Sequence, residues 1–270
     1  LQEVKMKKEF FDNLEQILYD KKTQFEKFAD FYENFKSDKF YFSFEKERIL
    51  KDNLHPHIKI KHPTKLRGVK NADNDYNLAK ILHSIAHIEY SAIQLALDSS
   101  YRFSFLPRVF YESFLKIADD EIKHFCLLEK ALNELGFKYG DFVAHDSLNA
   151  ALKATANSLR YRMAVVHRGL EAKGLDANPF VLKKLENSTH ALKSFLKITL
   201  KTILDDEITH VSAGDMWFKY AKDEQESFLD ICAKFKEFVL AGRVLNEEAR
   251  LKAGFEKQEL KELALFYKKA

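Results

Sequence analysis

Apolar residues recur at spacings of three and four along most of this chain, and strict alternation is rare, so the elements predicted are helices. Residues 6–36 predict one amphipathic helix, or two in succession. Between residues 37 and 74 the pattern lapses. FYFSF (40–44) predicts a short extended piece. HPHIKIKHPTKLRG (55–68), with Pro56 and Pro63 among basic residues, predicts irregular chain that wraps rather than coils. From Asp75, a capping residue, the periodic runs lengthen. Four long helices are expected: about 77–99, about 107–136 with Pro107 in its first turn and Gly136 as its stop, about 147–172 ending near Gly174, and about 190–220. A short helix over about 179–187 should precede the fourth, and two more are expected over 225–241 and 257–268. Only 8 Gly and 4 Pro interrupt 270 residues. The class is all-α: a four-helix bundle over 75–222, preceded by a helical segment and wrapping loop (1–74) and followed by C-terminal helices (223–270).

The faces that should be buried carry charge. The first long helix has a stripe of Leu82, Ile85, Ala86, Ala92, Ile93 and Ala96, with Glu89 inside it. The second has Phe114, Ile117, Ala118, Phe125 and Leu128, with Glu121 and His124 inside it. The fourth has Leu200, Ile203, Leu204 and Val211, with Glu207 and His210 inside it. In the third, Met163, Ala164 and His167 share a side with Glu171. An uncompensated buried carboxylate costs several kcal/mol. Four of them, with two imidazoles, call for compensation, and two divalent ions would bring four positive charges.

The spacing agrees. Glu and His at i and i+3 project from one helix face and can reach one ion. One Glu from each of two helices (Glu89, Glu171) and a Glu-x-x-His pair from each of the others (Glu121/His124, Glu207/His210) is the ligand arrangement of di-iron and di-manganese carboxylate sites in ferritin-like bundles. The chain writes nearly the same hexapeptide twice, DDEIKH (119–124) and DDEITH (205–210), and the Glu-to-Glu gaps are 32 and 36 residues. Asp120 and Asp206 each precede the ligand His by four. They are placed to accept from the distal imidazole N–H of the histidine on the opposing helix and to fix its tautomer. The bland alternative is a metal-free bundle whose carboxylates pair internally. One Glu-x-x-His arises readily by chance, whereas two in near-identical hexapeptides do not.

The segments HSIAHIEYSAIQLALD (83–98), FYESFLKIADDEIKHFCLLEKALNELGFKYGDFVAHDSL (110–148), RMAVVHRGLEAKGLD (162–176), ILDDEITHVSAGDMWFKY (203–220) and LNEEARLKAGF (245–255) resemble a bacterial family of ferritin-like proteins known chiefly as a domain of unknown function. The resemblance covers roughly residues 75–255. It implies a ferritin-like bundle and a di-metal site on the six ligands named above, and it supplies no reaction. The chain departs from the family pattern at Val143, Asn149 and His167, none of them a proposed ligand.

Other residues change the picture less. His83 and His87 lie four apart on the first helix, but Glu89 is about 200° around from His87. Supporting or surface roles suit both histidines better than ligation. His167 and Arg168 are candidates for steering an anionic substrate or pairing with the metal carboxylates, against a structural ion pair. His145 reads as a loop hydrogen-bonder, and Tyr90, Tyr111 and Trp217 as packing residues before redox neighbours.

Composition bounds the rest. Charged residues make up 31% with a net charge of +3, too weakly basic to imply nucleic acid; only the 55–67 stretch leaves that partner open. Cys126 and Cys232, far apart and without a CxxC, argue against a disulfide framework and a cysteine metal knuckle and suit a reducing compartment. With no secretory signal and no long apolar run, the expected location is the cytoplasm, with no membrane span. The chain begins at Leu1, so Met6 or an upstream position is the expected start. The expected cofactors are two metal ions, iron before manganese, since carboxylate and imidazole accept both. The function expected first is a di-iron oxidoreductase using O2 or peroxide, with an outside electron donor if it is an oxygenase. The alternative is a ferroxidase, peroxide scavenger or metal handler without an organic substrate, and a homodimer is compatible with either. A helical scaffold around a structural metal ranks last, because such sites close their coordination sphere.

Overall fold

Helix accounts for 69% of the computed structural model and strand for 2%, which makes the protein all-α. The structure describes residues 7–44, 58–66, 68–69, 71–221, 223 and 225–269. It forms two compact units, residues 1–57 with 89–123 and residues 58–88 with 124–270. The long helices α3 (Asp75–Arg102) and α4 (Arg108–Glu134) each contribute residues to both.

In the first unit the expected amphipathic stretch is two helices, α1 (Phe10–Tyr19) and α2 (Gln24–Lys36). Glu9 caps α1, its carboxylate accepting from Asp12 N at 2.6 Å. Phe10, Leu14, Ile17 and Leu18 face inward from α1 and Phe28, Phe31 and Phe35 from α2, the three-and-four spacing of an apolar stripe. The extended piece is real but short: β2 (Phe40–Tyr41) pairs in parallel with β1 (Lys8–Glu9), in register Lys8 to Phe40. Phe10 is the hub of the core, its ring 4.6 Å from Phe42, 5.2 Å from Tyr111 and 5.3 Å from Phe31. Tyr111 is therefore a packing residue, and its hydroxyl donates to Phe103 O at 3.3 Å.

The second unit holds the remaining helices, α5 (Ser147–Ala154), α6 (Leu159–Arg162), α7 (Ala172–Glu186), α8 (Lys193–Tyr220), α9 (Phe228–Lys234), α10 (Glu247–Lys252) and α11 (Lys257–Lys269). Before them, the wrapping segment shows a 3-10 turn at Pro63–Lys65, capped by His62, and a parallel bridge from Ile60 to Ala144. Residues 45–57, 67 and 70 of that segment, including positions 55–57 and 67 of its basic stretch, lie outside the described residues. At the start of α3 the capping oxygen comes from Asn74, which accepts from Asn77 N, rather than from Asp75, which accepts from His190. Helix α4 ends as expected. Gly136 takes φ +78°, and Phe137 N reaches back to Leu132 O at 3.0 Å, closing the last carbonyls.

The third expected helix differs most. The chain leaves α5 after Ala154, turns, and re-enters helix at Leu159. It then runs as a π-helix over Met163–Glu171 before continuing as α7, straight through Gly174 and Pro179, where a helix stop and a separate short helix were expected. Proline lacks an N–H, so Pro179 leaves the carbonyl of Leu175 without its helical donor. That carbonyl accepts instead from Asn246 Nδ2 at 3.2 Å, a compensation supplied 71 residues downstream. Similarly, the helix expected over 225–241 is only α9, begun by a Ser227/Asp230 capping box.

Two buried arginines hold the C-terminal helices. Arg250, fully buried, donates from Nε and Nη2 to Asp176 at 2.9 and 2.7 Å. Arg168 bonds both oxygens of Glu259 and lies 2.8 Å from Asp215, with its guanidinium 4.4 Å from the Phe255 ring and 4.7 Å from Phe228.

Candidate metal centre

Glu89 stands on the buried stripe of α3, Glu121 and His124 one turn apart on α4, and Glu207 on α8. One ligand atom from each of these four residues lies within 4.8 Å of the others. Glu121 is fully buried, His124 is 1% and Glu89 3% exposed, and Glu207 is partly buried. Carboxylates this close repel one another and, out of water, have little solvent to offset it. A divalent cation removes the conflict. Three carboxylate oxygens and one imidazole nitrogen form a hard-to-borderline donor set, without the thiolates that softer ions prefer. The residues fit a metal.

The histidine is prepared for such a role. Nε2 of His124 lies 2.9 Å from an oxygen of Asp206. The carboxylate accepts, so the proton sits on Nε2 and the contact fixes the tautomer and orientation of the ring. Asp120, the counterpart in the first hexapeptide, is held by Lys116 and lies 3.6 Å from Lys123.

The remaining expected ligands lie outside the four-residue group. Buried His210 places Nδ1 3.9 Å from Oε1 of Glu207, one turn away on α8, and its ring centroid is 6.1 Å from that of His124. Glu171, at the end of the π-helix, accepts from His167 Nδ1 at 2.6 Å. Arg168 points the other way, into its cage of carboxylates and rings.

His83 and His87 serve the loop that follows α4. Nε2 of His87 donates to His145 O at 2.9 Å, and its Nδ1 lies 2.9 Å from the Tyr139 hydroxyl. His83 accepts from Gly140 N at 3.0 Å and stacks on Tyr139; burial pulls its pKa down to about 4, so it is neutral at physiological pH. His145, from its place in the loop, accepts from Ser147 N. Tyr90 is buried, and desolvation pushes its phenol up. Trp217 packs edge-on against Tyr220 at 5.0 Å. Cys126 is exposed; Cys232 is buried and pushed up to about 12, which makes it an inert thiol. Tyr139 carried no sequence signal, because its partner His87 is 52 residues away.

The molecule is thus an all-α protein that gathers three carboxylates and an imidazole from long helices into a buried candidate metal centre. No described helix is long and apolar enough to cross a membrane. Residues 18–261 match the family described as "Protein of unknown function (DUF455)", and the chain belongs to that family. It is similar to a Haemophilus influenzae protein named "Uncharacterized protein", at 38% identity over 195 residues, a match covering 67% of this chain and 66% of that protein's length. No solved structure matches.

Proposed function

We propose that the protein is a di-metal carboxylate protein with a ferritin-like four-helix bundle, binding iron or, alternatively, manganese. Its function in this reading is that of an O2- or peroxide-dependent oxidoreductase. The observation that carries the reading is the buried group of Glu89, Glu121, His124 and Glu207, which has the donors and the charge a divalent ion needs. Glu171 and His210 complete the ligand set. A bound pair of reduced iron ions would supply two electrons to O2 or peroxide. The chain's own residues do the rest. The carboxylates hold charge in a buried setting, Asp206 keeps the His124 proton at Nε2, and the surrounding apolar stripes keep bulk water from the ligands. Turnover of an organic substrate would draw on an external electron donor, and the cytoplasm is the compartment that suits the free thiols.

One observation favours a second reading, in which the site oxidises iron or removes peroxide without an organic substrate. Glu121 and His124 are almost wholly enclosed, which suits a reactant no larger than O2 or peroxide. Anaerobic loading with Fe(II) followed by O2 tests the proposal. The expected result is O2 consumption and an absorption band of oxidised, carboxylate-bound iron. No uptake of iron and no O2 consumption above a Glu121→Ala control would refute it. Steady turnover of excess Fe(II) would select the second reading.

A further inference from the structure

The π-helix is the least ordinary piece of this fold. Nine consecutive residues, Met163–Glu171, follow the i→i+5 pattern, which proteins use mostly as single turns and frequently at functional sites. Its inner face presents His167, fully buried, and the ring nitrogen Nδ1 sits 2.6 Å from Oε2 of Glu171. The space for this side chain is made by Gly214 on α8, where a Cβ would fall 2.2 Å from the His167 Cβ. Glycine at 214, histidine at 167 and glutamate at 171 therefore form one arrangement: a gap, a donor that fills it, and a carboxylate that the donor holds.

We infer that His167 is a positioning residue for the metal centre, engaging Oε2 of Glu171 and reserving Oε1 as the single oxygen that this carboxylate presents to a metal ion. This rests on the di-metal reading above. An ionised carboxylate only accepts, so Nδ1 carries the proton and the contact is a donated hydrogen bond that fixes the Glu171 rotamer. Glu171 lies outside the group of Glu89, Glu121, His124 and Glu207. His167 therefore acts on one ion of the pair, the one served by Glu171, and leaves the other alone. The two ions bind with unequal dependence on a residue that touches neither.

The test is binding of Mn²⁺ alone to the metal-free full chain, followed by the signal of free Mn²⁺, with circular dichroism melting to confirm folding. The parent is expected to bind two ions. His167→Phe fills the ring's volume without a donor and is expected to weaken one ion by about 10–100-fold and the other by less than about 3-fold. His167→Asn places its amide donor where Nδ1 stands and is expected to restore the weakened ion. Equal affinities in His167→Phe and the parent would overturn the inference and leave the metal centre standing, as would an Asn variant no better than the Phe variant. A parent that binds no Mn²⁺ and no Fe²⁺ would overturn the metal reading and this inference together. If His167→Phe does not fold, His167→Gln takes its place. Its amide reaches the Nε2 position rather than Nδ1, so it should show the same loss, and parent-like affinity would again overturn the inference.

Discussion

DDEIKH and DDEITH differ in one letter, and their surroundings diverge from that letter outward. In the first, Lys123 lies 2.6 Å from Asp119 and 3.6 Å from Asp120, and Lys116 also holds Asp120. In the second, Thr209 offers no cation, and Asp206 lies against His124. The first hexapeptide contributes both Glu121 and His124 to the four-residue group, whereas the second contributes Glu207, with His210 beside it. Near-identical sequences thus meet different neighbours. A motif fixes which face a ligand leaves from, and the neighbours decide what each carboxylate meets.

The sharpest way to break this comparison is to remove its shared element. Glu121→Ala and Glu207→Ala should each lower Mn²⁺ affinity by more than about 100-fold, above the loss usual for a supporting residue, with helical content unchanged by circular dichroism. If either variant binds like the parent, that glutamate is not a ligand. Glu121→Gln carries an opposite and less obvious expectation. Without metal, the buried carboxylates destabilise the fold, so removing one charge should raise the unfolding free energy in chelator by about 1–3 kcal/mol, measured in urea. A destabilised Gln variant would mean that the cluster is internally compensated.

Next in size is the support of His124. Asp206→Ala should weaken metal binding by about 10–100-fold, while Asp205→Ala, at the exposed neighbour, should change it by less than about 2-fold. Equal losses would erase the distinction drawn between these two aspartates.

His83 tests whether the loop contacts are independent of either hexapeptide. Its folded pKa, about 4, lies below the unfolded value near 6.5, so the unfolded chain binds the extra proton first. Its contribution is intact above pH 6.5 and is lost as pH falls toward 4, about 2 kcal/mol by pH 5. Urea unfolding at pH 7 and pH 5 should show this loss in the parent and a smaller one in His83→Gln. A loss of the same size in both would clear His83. The smallest effect belongs to the letter that differs. Lys123 is well exposed, so Lys123→Thr should cost less than about 1 kcal/mol, read from the same unfolding curves.

Much of this was legible in the sequence where period and chemistry coincide. The first, second and fourth long helices follow from apolar spacing to within a few residues, since long periodic runs with Gly136 or Pro107 at their ends leave little freedom. Glu89, Glu121, His124 and Glu207 stand out because a carboxylate on a buried stripe is costly. The third helix was legible in its place but not in its break after Ala154 or its far end. Gly174 and Pro179 read locally as breaks, and the helix survives them because Asn246 supplies the donor that Leu175 O would otherwise lack. The π-helix was equally hidden, since no local pattern distinguishes i→i+5 from i→i+4 bonding and the gap that admits His167 belongs to Gly214 on another helix. The Arg250–Asp176 pair, 74 residues apart, and the α10 helix that carries it were invisible for the same reason: their partners are set by tertiary packing.

Metal content of the full chain, purified without chelator and again after reconstitution with Fe(II) or Mn(II), tests the central claim most directly. The account predicts about two ions per chain, falling sharply in Glu121→Ala. No bound metal after reconstitution, or the same content in Glu121→Ala as in the parent, would contradict it.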